Sequence, residues 1–288
     1  MYNITRHGTD IKLKQNNKDG IEYLTFPKIE ECGIVSHLFS TRIGGVSKGC
    51  YSEMNFSYTR GDEKEDVDEN FKRIQKIMGY ERGLDRFVCT YQTHTTNVRL
   101  VTKDDMGKGT IVQRDYTDID GLICNEHGII LTIYYADCTP LMFVDPVNKA
   151  IGLSHSGWRG TVSRMGAKTL KAMNENFGTK AEDVICGIGP SICVDCYEVG
   201  NDVKAEFISS FGEKKVFDEK IMAAEEGKPG KYLLDIWNAN RFVLEEAGVK
   251  RDNIEMTDIC TFENSDYLFS HRKTGEKRGN LAAFLALK

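Results

Sequence analysis

The feature that most constrains this chain is a succession of short apolar runs, several of them apolar at every position rather than at alternate ones. They span residues 86–91, 97–101, 121–124, 129–135, 141–144, 150–154 and 184–188. Runs of that length suit strands, and a strand apolar on both faces belongs in a sheet covered on both sides. Between the fifth and sixth runs lies DPVNK, whose turn chemistry predicts a hairpin and hence some antiparallel pairing. Amphipathic stretches are interspersed. Val67, Phe71, Ile74, Ile77 and Met78 form one stripe after a capping Asp66 and before Gly79. Others run from about residue 162 to Phe177, over 202–211 before Gly212, and from Asp235 to Gly248. Strands in runs with helices between them predict an α+β fold with mixed sheets. No G-x-G-x-x-G follows a strand, which argues against a doubly wound nucleotide-binding fold.

With 288 residues and 40% hydrophobic content the chain can bury one large core, and a single domain over 1–288 is expected, residues 1–35 being an extension or edge strands. Residues 212–231 hold nine Lys or Glu and few apolar anchors, and read as a surface excursion. A net charge of −5 gives no broad positive field for nucleic acid or an anionic membrane, so a small-molecule ligand fits better. The polar first twenty residues and the lack of an eighteen-residue apolar run lead us to expect a soluble, cytoplasmic protein. Nine irregularly spaced cysteines, an odd number, read as reduced thiols rather than a disulfide framework.

Three metal-competent residues close or directly follow strand-like runs: His94 in YQTHTTN, Cys138 in YYADCTP and His155 in GLSHSGWRG. One thiolate and two imidazoles would make a three-ligand zinc site with its fourth position open, the catalytic arrangement, which activates water near neutral pH. Spacing alone leaves two other readings: three unrelated buried residues, or Cys138 as a nucleophile activated by His94 or His155 without metal. After His155, Gly157, Arg159 and Gly160 lead into a helix, where free N–H groups and an arginine suit an anion. STRIGGVS is similar in kind, with Arg42 beside Gly44 and Gly45 as a cradle for phosphate or a ribose hydroxyl. Asn70 and Arg73 share a helix face. Asp120 and Asp137 are candidates for orienting a histidine or moving protons, and ordinary turn aspartates otherwise. Cys193-x-x-Cys196 and Cys124-x-x-His127 have no evident partner pair, and His7 and His37 no supporting context.

Taken together, SHLFSTRIGGVS, NFSYTRGD, ENFKRI, YQTHT, DIDGLI, YYADCTPLMFVD, GLSHSGWRGT, CGIGPSIC and SHRKTGEKRGNLAAF resemble the YfiH family, also called laccase-domain or multicopper polyphenol oxidoreductase proteins, from about residue 36 onward. That resemblance implies a layered α/β/β/α arrangement and a metal set of two histidines and a cysteine, mapping onto His94, Cys138 and His155. It implies phosphorolysis of adenosine, inosine, guanosine and methylthioadenosine, and deamination of adenosine, so purine nucleosides and phosphate are the expected partners. The older family name implies copper-dependent phenol oxidation, and one branch implies a Cys-His amidase acting on peptidoglycan precursors. Six histidines in all are few for several copper centres, and one thiolate-imidazole site suits zinc better. Where many members have Asn-Arg on the first helix, this chain has Asn70-Phe71, leaving Arg73 as the candidate. The closing arginine motif is only loosely echoed by Arg272 and Arg278.

Overall fold

In the computed structural model, which describes residues 1–8, 12–81 and 83–288, the apolar runs become strands of two six-stranded mixed sheets. The chain starts with β1 (Lys14–Lys18), β2 (Ile21–Thr25) and β3 (Val35–Ser40). It continues through β4 (Phe87–Cys89), β5 (Val98–Leu100), β6 (Gly121–Cys124), β7 (Ile130–Tyr135), β8 (Thr139–Asp145) and β9 (Ala150–Ser156). Then come β10 (Ile185–Ile188), β11 (Glu198–Gly200), β12 (Met222–Ala224), β13 (Lys231–Leu234), β14 (Ile254–Met256) and β15 (Leu281–Leu287). The first sheet has the order β1-β2-β3-β15-β7-β4 and the second β14-β10-β8-β9-β6-β5, while β11-β13-β12 form a small antiparallel sheet. The expected hairpin is β8–β9, its turn held by Asp145 Oδ1 accepting from the N–H groups of Val147 and Asn148 at 2.9 and 3.0 Å.

The helices are α1 (Pro27–Glu31), α2 (Lys64–Ile77), α3 (Trp158–Val162), α4 (Met165–Phe177), α5 (Asn201–Phe211), α6 (Glu213–Asp218), α7 (Ile236–Glu246) and α8 (His271–Thr274). Period-two alternation in β15 explains the layering. Leu281, Ala283, Leu285 and Leu287 point between the sheets, against Leu131 and Ile133 of β7, Met142 and Val144 of β8, and Ile151 and Leu153 of β9. Ala282, Phe284 and Ala286 point outward and receive Val67, Phe71 and Ile74 of α2. Phe71, fully buried and edge-on to Phe87 and Phe284, contributes roughly 2–3 kcal/mol by its burial. Across the second sheet, Leu141 and Phe143 meet Leu170 and Met173 of α4 and Leu244 of α7. The result is the α/β/β/α stack.

Three local expectations need correction. Asp66 lies inside the first turn of α2, whose N-cap is Glu63; there it complements the helix dipole instead of capping. The helix expected from residue 162 is broken, because Arg164 adopts φ +63° between α3 and α4. Residues 212–231 are more than an excursion: they carry α6 and β12 and bury Val216, Ile221 and Met222 against Phe207 and Phe211 of α5. Among the described residues no helix is long and apolar enough to cross a membrane.

Candidate active site

Two chain crossings and one strand end build the site. His94 lies where the chain leaves β4 of the first sheet for β5 of the second, and Cys138 where it leaves β7 for β8. His155, near the end of β9, sits opposite Pro140 of β8. Their ligand atoms all lie within 4.8 Å of one another. His94 Nε2 is 3.9 Å from Cys138 Sγ, and the two imidazole centroids are 5.0 Å apart. His94 is exposed, Cys138 half-buried and His155 buried, so the cluster opens to one side. His94 holds φ +65°, a left-handed conformation that costs a non-glycine residue about 1 kcal/mol or more.

Asp120 offsets that cost. It is fully buried, and its Oδ1 accepts from the His94 N–H at 3.1 Å and meets His155 Nδ1 at 2.8 Å. Its Oδ2 accepts from the Thr93 and Thr95 N–H groups and the Thr95 hydroxyl. One carboxylate therefore shapes the His94 loop and turns the other nitrogen of His155 toward the cluster. Burial pushes the Asp120 carboxyl up, but His155 and the backbone donors outweigh it and hold it below its ordinary value. Burial likewise opposes a thiolate at Cys138, yet the charge of His155 and the hydrogen bonds of both histidines bring it down to about 6. Burial opposes charge on His155, which Cys138 and Asp120 nonetheless raise to about 10. Gly157 makes room: a Cβ there would lie 2.7 Å from Cys138 Sγ and 3.3 Å from His94 Cδ2. A soft anionic sulfur, two imidazoles, a positioning carboxylate and an exposed side fit a metal ion with an open coordination position.

The three residues face a cavity of about 390 Å³, walled by Tyr58, Arg60, Arg114, Tyr135, Arg278 and Asn280 among others. That is room for a nucleoside-sized molecule. Arg278 is buried yet makes no ion pair among the described residues. Its Nη1 donates to Gly279 O and Asn280 Oδ1, and its Nε has no partner among the described residues. Burial and the nearby charge of Arg60 lower its pKa to about 10. The Tyr135 hydroxyl is also buried without a partner. An unpaired buried guanidinium beside a second arginine calls for an anion. Arg60 and Tyr135 lie in the motifs NFSYTRGD and YYADCTPLMFVD but had no role assigned from the sequence, and Arg114 carried no sequence signal.

Comparison with known proteins gives the family. A family model described as multi-copper polyphenol oxidoreductase laccase matches residues 36–288. The chain belongs to this family. It is 34% identical over 259 residues to a protein of Bacteroides thetaiotaomicron named purine nucleoside phosphorylase, covering 90% of this chain and 93% of that one. It is 32% identical to purine nucleoside phosphorylase YlmD of Bacillus subtilis, with 87% of each chain covered. The crystal structure of YlmD from Geobacillus stearothermophilus matches it with a TM-score of 0.86 at 29% identity, over 97% of this chain and 100% of that one.

Several residues of this laccase-family chain lie elsewhere than expected. Arg42 does not cradle an anion: it donates to Ser52 O and Ser265 O at 2.8 and 2.6 Å and covers the Phe269 ring. Asn70 is buried and bonds Ser47 Oγ, Glu53 O and Asn55 O while accepting from Val46 N–H. Arg73 bonds Glu69 and Gly44 O. These three stitch the STRIGGVS loop, where a Cβ on Gly45 would lie 2.1 Å from Glu53 O, so the glycine serves close packing. Arg159 is exposed, lies over the Trp158 ring, and does not wall the cavity. Asp120 has no free oxygen with which to move a proton, and is a positioning residue. Asp137 accepts from Thr261 Oγ1 and Arg272 N–H at 2.6 Å each, one bond to each oxygen, and points at these groups of the loops beside the cluster.

Proposed function

We propose that this chain is a zinc-dependent purine nucleoside enzyme, splitting adenosine, inosine, guanosine and methylthioadenosine with phosphate and also deaminating adenosine. The observation that carries the reading is the pairing of the His94–Cys138–His155 cluster with an ion-pair-free, buried Arg278 in one cavity. The names of the relatives agree with it. In phosphorolysis a phosphate oxygen bonds the ribose anomeric carbon as the bond to the purine nitrogen breaks, and the base leaves with a proton. Arg278 and Arg60, both on the cavity wall, hold the phosphate. Tyr58, stacked on Phe71 and bonded to Asp68, is a rigid aromatic wall for the base. A zinc ion held by His94, Cys138 and His155 would supply a Lewis acid with one position open for water or a substrate atom. The unpaired thiols fit a reducing, cytoplasmic setting.

The ligand inventory favours this over copper oxidation. Besides His94 and His155, His37 accepts from Phe26 N–H, His127 meets Lys288 O, His271 meets Gly275 O, and His7 pairs with Glu263. Laccase chemistry draws on many imidazoles, and here two converge on the cavity. One observation favours a second reading: Cys138, His155 and Asp120 line up as nucleophile, base and orienting acid, the order of a metal-free Cys-His hydrolase or amidase.

The test is a panel of the four nucleosides on zinc-loaded protein, with and without phosphate, followed by chromatography of the products. Free base that depends on phosphate, and inosine from adenosine without it, are expected. Nucleoside binding with neither product would refute the enzyme reading. Amidase turnover that survives chelation and stops on alkylation of Cys138 would establish the second reading instead.

A further inference from the structure

Away from the cavity, three more cysteines converge. Cys193 and Cys196 bracket a short 3-10 turn (Val194–Cys196), and Cys260 lies on the segment after β14 that bridges to Ser191. Their sulfurs all lie within 4.8 Å of one another, and all three are unpaired thiols. Cys193 and Cys260 are buried and Cys196 is half-buried. The partner that the isolated C-x-x-C lacked in the sequence is thus a single cysteine brought from far along the chain. The N-terminal segment adds to the group: the Arg6–Ile259 bridge and the His7 N–H bond to Asp258 O set His7 beside it. His7, Cys193 and Glu263 also bring their ligand atoms within 4.8 Å of one another, with His7 Nε2 2.7 Å from Glu263 Oε2.

Packing alone does not account for this group. A buried cysteine behaves as a small hydrophobe and is indifferent to the neighbours it touches. Here Cys260 Sγ accepts from the Cys193 N–H at 3.3 Å, and the Phe262 and Glu263 N–H groups are directed at it as well. Backbone donors aimed at a sulfur stabilise negative charge on it, which is what a metal-bound thiolate requires.

We propose that Cys193, Cys196 and Cys260 bind a second zinc ion, with the His7–Glu263 pair supplying the fourth ligand. Three thiolates and one further protein ligand make a closed, structural set, so this ion turns nothing over. It fastens the N-terminal segment to the loops on either side of Asp137, which accepts from Thr261 Oγ1 and whose carbonyl accepts from Ile192 N–H. Asp137 precedes Cys138, so the clip steadies the loop that presents the catalytic-site thiol.

The experiment uses full-length Cys138→Ala protein, in which the first site has no thiolate. Titrated with Co²⁺ under reducing conditions, it is expected to bind one ion with a near-ultraviolet thiolate-to-cobalt band, and the band is expected to vanish when Cys193→Ser and Cys260→Ser are added. Folded Cys138→Ala protein with no such band would overturn the proposal. Because the combined variant can fail to fold, a second measurement uses the unmodified chain: zinc should slow alkylation of Cys193, Cys196 and Cys260 at least tenfold by mass spectrometry. Equal alkylation with and without zinc, or a Cys193–Cys260 disulfide in anaerobically purified protein, would overturn it equally.

Discussion

Gly157→Ala adds one methyl group at the N-cap of α3 and aims it at the proposed metal ligands Cys138 and His94. The backbone there has φ −70° and ψ −179°, which alanine adopts freely, so the change tests space and not conformation. The new carbon would lie 2.7 Å from Cys138 Sγ, whereas unstrained contacts of this kind need about 3.5–4 Å. The sulfur must therefore retreat by roughly 1 Å. A cysteine does this by rotating about its one side-chain bond, so stability should change by less than about 1 kcal/mol. Metal coordination is far less forgiving, with distances held to about 0.2 Å. Disturbing only the orientation of a ligand weakens metal binding about 10–100-fold, or roughly 1.4–2.7 kcal/mol. Displacing the thiolate itself should reach the upper end. Zinc affinity, measured by competition with a chromophoric chelator, is expected to fall about 100-fold while the thermal transition moves by a few degrees at most. Nucleoside turnover should fall in parallel. Gly160→Ala is the control, because its Cβ would meet nothing closer than 3.5 Å, and should leave both unchanged. Zinc affinity within about threefold of the parent in Gly157→Ala would refute the reasoning.

Three further outcomes are expected. Asp120→Asn sets an amide NH₂ among donors that now share two carboxylate oxygens; urea denaturation should show a loss of about 2–4 kcal/mol, with zinc affinity at least tenfold lower. Burial lowers the His37 pKa from 6.5 to about 4, and the neutral ring accepts from Phe26 N–H at 2.9 Å. Below pH 6.5 the unfolded chain takes up a proton that the folded chain refuses, so stability falls as pH drops to about 4, by roughly 3 kcal/mol in all. Denaturation across that range should show a shallower fall in His37→Gln, and equal slopes would refute the assignment. Arg278→Gln should raise the KM for phosphate at least tenfold and leave that for the nucleoside within about threefold in steady-state kinetics, whereas equal changes in both would argue against a phosphate contact.

How legible the fold was depended on how many faces of an element are buried. β7, β8 and β9 are covered on both sides and read as continuous apolar runs. β1, KQNNK, is a polar edge strand whose only structural signal is its partner β2. β15, LAAFLAL, is as buried as any strand, but alanine and leucine have no strand preference to reveal it. The break at Arg164 has no local cause in the sequence, because a non-glycine residue in the left-handed region is held there by its surroundings. At the site, the strand-end placement of His94, Cys138 and His155 was visible. Arg42, Asn70 and Arg73 misled because an arginine beside glycines looks the same whether it meets a phosphate or its own backbone. Arg278 was legible only as a loose echo of the closing arginine motif, and the lone cysteine at 260 gains meaning only from segments far away in the chain.

The position of His94 and Cys138 on the two crossings has a consequence in time. Both lie on stretches that join one sheet to the other, so the proposed ligand set is completed where the two sheets meet. On the zinc reading proposed above, the ion would then be captured late, after the slow, long-range step of folding. Its stabilising effect belongs to the finished protein and is absent from the barrier. Added zinc should leave the rate of refolding alone and lengthen the lifetime of the native state, so that metal uptake serves as a clock for the moment the two halves close.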